Sequence, residues 1–133
     1  MSFLIKSTFI IFLLCFFVQC QWESEKKTLE VTASAYNSLP QQTRQKGGGA
    51  ITAWGDTLKS GMKSIAVSRD LIDSGLTHGR KVWIEGLEGA YTVNDKMNRR
   101  WTRKIDIYFG LDKEKAKEWG KQKVKIEWYS EEE

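Results

Sequence analysis

Three aspartates occupy positions from which a carboxyl group could act on a bound substrate. Asp70 and Asp95 each follow a short apolar run, and Asp106 lies inside one, between Ile105 and Ile107. β-Strands are depleted in aspartate, so an acid within an apolar strand is unusual. If such a carboxyl group is partly buried in a groove, its pKa rises and it can serve as a general acid. We therefore take Asp106 as the principal candidate for acid chemistry.

Two interpretations of the strand that carries Asp106 stay open on the pattern alone. Alternation places Asp106 on the same face as Lys104 and Tyr108, and opposite Ile105 and Ile107. Either this face lines a groove in which Lys104 and Tyr108 contact a substrate, or Asp106 is a surface acid that is ion-paired with Lys104.

The sequence carries one histidine, His78, and two cysteines. Metal sites and catalytic triads combine several such groups, and no cluster of Cys and His with metal-ligand spacing is present. Gly47–Gly49 lacks the rest of a nucleotide-binding loop. The sequence therefore predicts neither a metal nor a cofactor, and we interpret His78, which precedes Gly79, as a turn residue.

Short strands separated by glycines are predicted to position the acids. The first alternates Leu29, Val31, Ala33 and Ala35 from residue 28 onward, and a long loop follows from Asn37 to Ala50. Asp70–Asp73 is predicted as a helical turn, and Asp112 caps a helix through Trp119 that ends at Gly120. Four tryptophans are assigned to the core, with a sugar-stacking platform as the alternative for each: Trp54, Trp83, Trp119 and Trp128. The remaining strands are predicted at Ile51–Trp54, Ser64–Ser68, Lys81–Glu85, Ala90–Val93, Lys104–Tyr108 and Lys123–Tyr129.

The first twenty residues predict export. Lys6 precedes an apolar stretch from Phe9 to Val18, which is typical of a signal peptide and shorter than the roughly 20 apolar residues of a membrane span. Cys20 ends this stretch and resembles the lipidated cysteine of a bacterial lipoprotein, although Gln19 replaces the usual small residue. An uncleaved N-terminal anchor is the alternative. We expect a leader over residues 1–19, a tether over 20–27 and one domain over 28–130.

The charge balance favours anionic polymers of the cell envelope as partners. The chain has 21 basic and 17 acidic residues, and Lys6 is the only charged residue of the leader, so the remainder has a net charge of +3. Such a mild excess in an exported protein argues for an envelope polymer and against nucleic acid as the ligand.

Several motifs in order resemble the three-aspartate family of double-psi β-barrels, from about Val31 to Trp128. Asp106 follows Asp95 by eleven residues, which is the separation expected for that family. The segments that carry the resemblance are Thr32–Tyr36, Ser64–Asp70, Gly75–Val82, Tyr91–Asp95, Lys104–Gly110 and Ala116–Gly120. The resemblance implies a mainly β fold, a small six-stranded double-psi β-barrel with one or two short helices.

The family includes the catalytic domain of membrane-bound lytic transglycosylase A. The resemblance therefore implies an enzyme that cleaves the β-1,4 bond between N-acetylmuramic acid and N-acetylglucosamine in peptidoglycan and forms a 1,6-anhydro product. It assigns the acid/base role to Asp106 and supporting roles to Asp95 and Asp70. Rare lipoprotein A-like barrels pair a histidine with an aspartate, which leaves a catalytic His78 as an alternative.

A basic cluster follows the second aspartate, where the family usually has Thr-Gly-Gly. Arg99, Arg100, Arg103 and Lys104 surround Trp101. These cations could bind muramyl or peptide carboxylates while the ring stacks on a sugar, or they could form an ordinary solvated face. Because the glycines are replaced by bulkier residues, a non-catalytic glycan-binding envelope module on the same barrel is the alternative function.

Overall fold

The computed structural model describes residues 24–37 and 50–130, which form a mainly β fold with two short helices. The helices are α1 (Arg69–Asp73) and α2 (Lys113–Trp119). The strands are β1 (Lys26–Tyr36), β2 (Ala50–Ile51), β3 (Thr57–Leu58), β4 (Ser64–Val67), β5 (Lys81–Ile84), β6 (Ala90–Lys96), β7 (Lys104–Tyr108) and β8 (Gln122–Tyr129).

Six of these strands pair in a closed ring in the order β1-β7-β4-β6-β5-β8, and β8 pairs again with β1. Two pairs are parallel, β1 with β7 and β4 with β6, and the other four are antiparallel. Closure leaves these six strands without a free edge. The prediction of a mainly β fold built on six strands is confirmed.

Alternation along each strand fills the inside of the ring with aliphatic side chains. Val31 and Ala33 of β1 are buried, as are Ile105 and Ile107 of β7, which confirms the predicted faces of both strands. These residues belong to one core cluster with residues of β4, β5, β6 and β8. Asp106 therefore lies on the outer face of β7, because its two neighbours point inward.

A second, smaller cluster lies outside the ring. Leu58 and Tyr108 are buried against each other, and Tyr36 packs on them. Leu58 belongs to β3, which pairs only with β2 in a two-stranded sheet. This small sheet thereby covers the outer face of β7 at its C-terminal end.

The predicted strand Ile51–Trp54 is wrong beyond its first residue. The Gly55 amide donates to the Thr52 carbonyl at 3.0 Å, and the Thr52 amide donates to the Asp56 carbonyl at 2.8 Å, so the chain turns at residues 52–56. Gly55 takes a φ of 87°, which suits this turn. The short strand β3 after it was not predicted.

The predicted helices are confirmed. Asp112 accepts a hydrogen bond from the Lys115 amide at 3.0 Å, and the helix ends at Gly120, whose φ is 61°. The Gly120 amide donates a hydrogen bond to the Ala116 carbonyl at 3.2 Å. Arg69–Asp73 is the helical turn expected at Asp70.

The ring begins two residues before the predicted domain boundary. Lys26 and Lys27, assigned to the tether, pair with Tyr129 and Trp128 of β8. The predicted leader with Cys20 lies outside the described residues, as do residues 38–49 of the predicted loop and residues 131–133 of the tail. Within the described part of the chain, no helix has the length and hydropathy to cross a membrane.

Gly110 anchors the end of β7 against the segment after β3. It has a φ of 62°, and a Cβ atom there would lie 3.1 Å from Ser60 Cα. Gly55 also has a positive φ, but no neighbouring atom would lie within 4 Å of a Cβ atom at that position. We expect Gly55→Ala to lower the free energy of unfolding by about 1 kcal/mol from the backbone alone. Gly110→Ala should cost about 1–3 kcal/mol more, because a backbone atom must move.

Urea denaturation of the two variants measures this difference. Equal midpoints for Gly110→Ala and Gly55→Ala would contradict the close approach of the two segments.

Candidate functional site

Strand register places two of the predicted acids in one row across the outer wall of the ring. Ser34 of β1 pairs with Asp106 of β7, Asp106 pairs with Ala66 of β4, and Ala66 pairs with Asp95 of β6. Side chains of laterally paired residues lie on the same face of a sheet. The Cα atoms of Asp95 and Asp106 are thus two strand spacings apart, roughly 10 Å, with only a methyl group between them.

An irregularity in β6 decides which residue joins this row. Ile65 pairs with Val93, and the register then shifts so that Ala66 pairs with Asp95. Without the shift, Asn94 would stand beside Ala66. Extra residues in a strand re-aim side chains, often near active sites. The predicted β6 ended at Val93, so the extension of the strand through Lys96 and its irregularity were both missed.

The environment of Asp106 favours its neutral form. Burial raises the pKa of this carboxyl above its ordinary value, and the charge of Asp95 acts in the same direction. A hydrogen bond from Ser34 Oγ to Asp106 Oδ1, 2.9 Å long, and the charge of Lys104 act against this rise. The net direction is upward, as a general acid requires.

Lys104 is engaged with an aromatic ring. Its ammonium lies 3.8 Å from the ring centroid of Trp101, and the Arg100 guanidinium lies 4.8 Å from the same centroid. Among the described residues no ion pair joins Lys104 to Asp106, so the interpretation of Asp106 as a lysine-paired surface acid is not supported. Trp101 is half-buried and Arg99 is exposed.

Asp95 is oriented by the backbone. Its Oδ1 accepts a hydrogen bond from the Ala53 amide at 2.8 Å and one from the Lys96 amide at 2.9 Å. Ala53 belongs to the turn at residues 52–56, so this turn is attached to the acid row through Asp95. Asp95 is therefore held in a fixed orientation in the same row as Asp106.

Asp70 lies apart from this pair. Its Oδ2 accepts a hydrogen bond from the Arg103 amide at 2.9 Å. Arg103 has a φ of 50°, a left-handed conformation that is unusual for a residue other than glycine. Arg103 Nε also donates to the Glu30 carbonyl at 3.0 Å. Asp70 thus holds the turn before β7, and Asp95, but not Asp70, is among the groups that shift the Asp106 pKa.

Two tyrosines form the end of the acid row. Tyr108, predicted to contact substrate, is only 3% exposed and packs against Leu58, which leaves it little surface for a ligand. Tyr36 lies with its ring centroid 5.4 Å from that of Tyr108. Burial raises the pKa of Tyr36 far above its ordinary value, and the charges of Asp95 and Asp106 add to the rise.

The Tyr36 hydroxyl is buried and has no hydrogen-bond partner among the described residues. The Tyr36 hydroxyl is thus a neutral, buried donor near the charges of Asp95 and Asp106. Sequence reasoning used Tyr36 only as part of a strand motif. Tyr36 lies at the end of β1, two residues after Ser34, and this position could have identified it as a residue of the site.

A hydrogen-bonded network adjoins the row and contains a histidine paired with an aspartate, as the alternative role of His78 requires, although the partner Asp56 was not predicted. His78 Nε2 and Asp56 Oδ2 form a short hydrogen bond, Asn94 Nδ2 donates to the same Asp56 oxygen at 3.4 Å, and Ser64 Oγ donates to Asn94 Oδ1 at 2.8 Å. The hydrogen bond with His78 lowers the pKa of Asp56. The Trp54 ring lies 4.9 Å from the His78 ring.

His78 does lie in a turn, as predicted, since the Arg80 amide donates to the Thr77 carbonyl at 3.0 Å. Its pairing with Asp56 joins two segments that are far apart in the sequence, and no local pattern marks it. Within the described ranges, no group of three or more His, Cys, Asp or Glu side chains is arranged to hold a metal ion.

No protein-family model matches the chain, and no curated protein matches it significantly. The resemblance to three-aspartate domains therefore stays a prediction.

We expect Tyr36→Phe to leave stability unchanged or to raise it, by up to about 1–3 kcal/mol, because it removes a buried hydroxyl without a partner. Tyr91→Phe is the matched control, since Tyr91 is also buried in the ring but its hydroxyl is not orphaned. Thermal unfolding of both variants measures the difference. A marked loss of stability in Tyr36→Phe alone would mean that the hydroxyl has an essential protein partner.

Proposed function

We propose that the chain is a peptidoglycan lytic transglycosylase of the three-aspartate type, with Asp106 as its single acid/base residue. The observation that carries the proposal is the partly buried Asp106 carboxyl on the outer wall, with a raised pKa, beside the fixed carboxylate of Asp95. The proposed ligand is a glycan strand, and export with a lipid anchor at Cys20 would place the domain at that substrate.

The strand topology supports a double-psi barrel as the finer description of the fold. Such a barrel needs parallel pairs between strands that are distant in sequence, inside a small closed ring. The pairs β1 with β7 and β4 with β6 meet that need. They also bring Ser34, Ala66 and the two acids together, so the proposed fold and the proposed site depend on the same pairings.

One carboxyl group suffices for the proposed reaction. Neutral Asp106 donates its proton to the glycosidic oxygen while the bond from that oxygen to the muramyl anomeric carbon breaks. The muramyl 6-hydroxyl oxygen then bonds to the anomeric carbon, and the Asp106 carboxylate accepts the hydroxyl proton. The acid is regenerated and the product forms without water. Because the nucleophile belongs to the substrate, its effective concentration at the anomeric carbon is high. Most glycosidases instead need a second carboxyl group in reach of the sugar.

The neighbours of Asp106 fit distinct parts of this reaction. Ser34 holds Oδ1, and among the described residues Oδ2 accepts no hydrogen bond, so it is suited to carry the mobile proton. Asp95 raises the pKa of Asp106 and would stabilise positive charge that develops at the anomeric carbon. Trp101 with Lys104 and Arg100 offers a ring and cations beside the row.

The second candidate is a glycan-binding module without catalysis. It is favoured by the position of Asp70, which is bound to the Arg103 amide away from the other two acids. In that case the acid row and the Trp101 cluster would bind a glycan strand, and no bond would be broken.

Replacing Asp106 with Asn should lower the rate of anhydro-muramyl product formation by about 10²–10⁴-fold, because the proton donor is lost while shape is retained. Asp73→Asn, an exposed acid on α1, is the matched control and should keep the wild-type rate. Product is measured by mass spectrometry after incubation with denuded peptidoglycan. If the wild type binds peptidoglycan but forms no such product, the glycan-binding alternative holds.

The pH profile should move in opposite directions in two further variants. A general acid must be protonated, so the rate falls as pH rises through the pKa of Asp106. Asp95→Asn removes a charge that raises this pKa, so the alkaline limb should shift to lower pH. Ser34→Ala removes a hydrogen bond that lowers it, so the limb should shift to higher pH. Shifts in the same direction would remove Asp106 from the acid role.

A further inference from the structure

Two aromatic side chains are exposed on the outer surface of β5 and β8. Trp83 is 40% exposed and Tyr129 is 44% exposed, and their rings meet edge to face with centroids 5.8 Å apart. Trp83 points outward because its neighbours Val82 and Ile84 fill the ring interior. The assignment of Trp83 to the core is therefore wrong, whereas Trp128 is buried and both Trp54 and Trp119 pack on the core.

The same aromatic pair borders a concave pocket of about 390 Å³ with a basic lining. The pocket is lined by Trp83, Tyr129, Gly79 and three residues that can carry positive charge, His78, Arg80 and Lys81. Arg80 is held in place, since its Nε donates to the Gly75 carbonyl at 3.2 Å and its Nη1 donates to the Tyr129 carbonyl at 3.4 Å. Lys81 Nζ donates to Thr92 Oγ1 at 2.5 Å.

Among the residues that the structure describes, none that lines this pocket carries a carboxylate, and their composition suits a particular ligand class. A ligand pocket combines aromatic or apolar walls with a few converging polar groups. Rigid aromatic faces offer contact area to the C–H face of a sugar ring, and cations attract a carboxylate. A sugar that carries a carboxylate satisfies both features at once.

The pocket and the acid row are separated along the wall of the ring but connected. In the closed ring, β5 is three strands from β7 in either direction, so the two strands lie on opposite sides of the ring. The connection runs over the surface: His78 lines the pocket and binds Asp56, and Asp56 is bound by Asn94, the residue before Asp95. A ligand that contacts both sites must therefore be a polymer rather than a single sugar.

We propose that the pocket is a second glycan subsite, which binds a carboxylate-bearing sugar several sugars away from the bond that lies at Asp106 on the same strand. Trp83 and Tyr129 stack on the sugar, and Lys81 and Arg80 attract the carboxylate. This inference rests on the proposed function for the identity of the glycan. It adds a distant binding site that would hold a polymer and discriminate against short fragments.

The test uses the purified chain carrying Asp106→Asn, so that binding is measured without turnover. Two probes are compared by calorimetry: denuded glycan strands, in which the muramyl carboxyl group is free, and the same strands with these carboxyl groups converted to neutral methylamides. Trp83→Ala should weaken binding of both probes, by about three- to tenfold. Lys81→Gln should weaken binding of the native strands only, by about two- to fivefold.

Exposed residues away from the pocket supply matched controls. Leu111→Ala, which removes a 61% exposed side chain, and Lys123→Gln on β8 should leave both affinities unchanged. If Trp83→Ala and Lys81→Gln bind both probes as tightly as their parent, the subsite is refuted, whatever Asp106→Asn does to turnover. If the parent with Asp106 intact forms no anhydro product while Trp83→Ala still loses affinity, the proposed reaction fails and the subsite stands.

Discussion

The partial burial of one carboxyl group on the outside of a closed ring is the constraint on which the site depends. Ile105 and Ile107 must fill the interior, so Asp106 between them is forced outward. It is nevertheless kept from full solvation, because β1 and β4 flank it on both sides. Burial is the largest cause of its raised pKa.

The acid row brings two carboxyl groups together. Asp95 and Asp106 flank Ala66, and the charge of Asp95 adds to the rise that burial causes in the pKa of Asp106. Asp95 receives two backbone amide hydrogen bonds, whereas Asp106 receives one from a serine. The row is therefore asymmetric, because the backbone holds one carboxyl group and a single side chain holds the other.

Periodicity predicted the parts of this arrangement that lie within one strand. The inward and outward faces of β1 and β7, and the helix between Asp112 and Gly120, follow from local patterns. Relations between strands were not predictable from residues alone. The shift beside Ala66 that selects Asp95 and the pairing of His78 with Asp56 depend on which strands become neighbours. Trp83 was wrongly assigned to the core because its residue type favours burial, whereas its position in an alternating strand places it on the outer face.

The turn at residues 52–56 connects the acid row with the aromatic pocket. Its Ala53 amide binds Asp95 in the acid row, and its Asp56 carboxylate binds His78 at the edge of the aromatic pocket. Trp54, between them, stacks on His78 and lies 5.8 Å from the Lys96 ammonium. A displacement of this turn would disturb both contacts together. The turn thus fixes Asp95 of the acid row relative to His78 at the pocket, which two independent loops would not do.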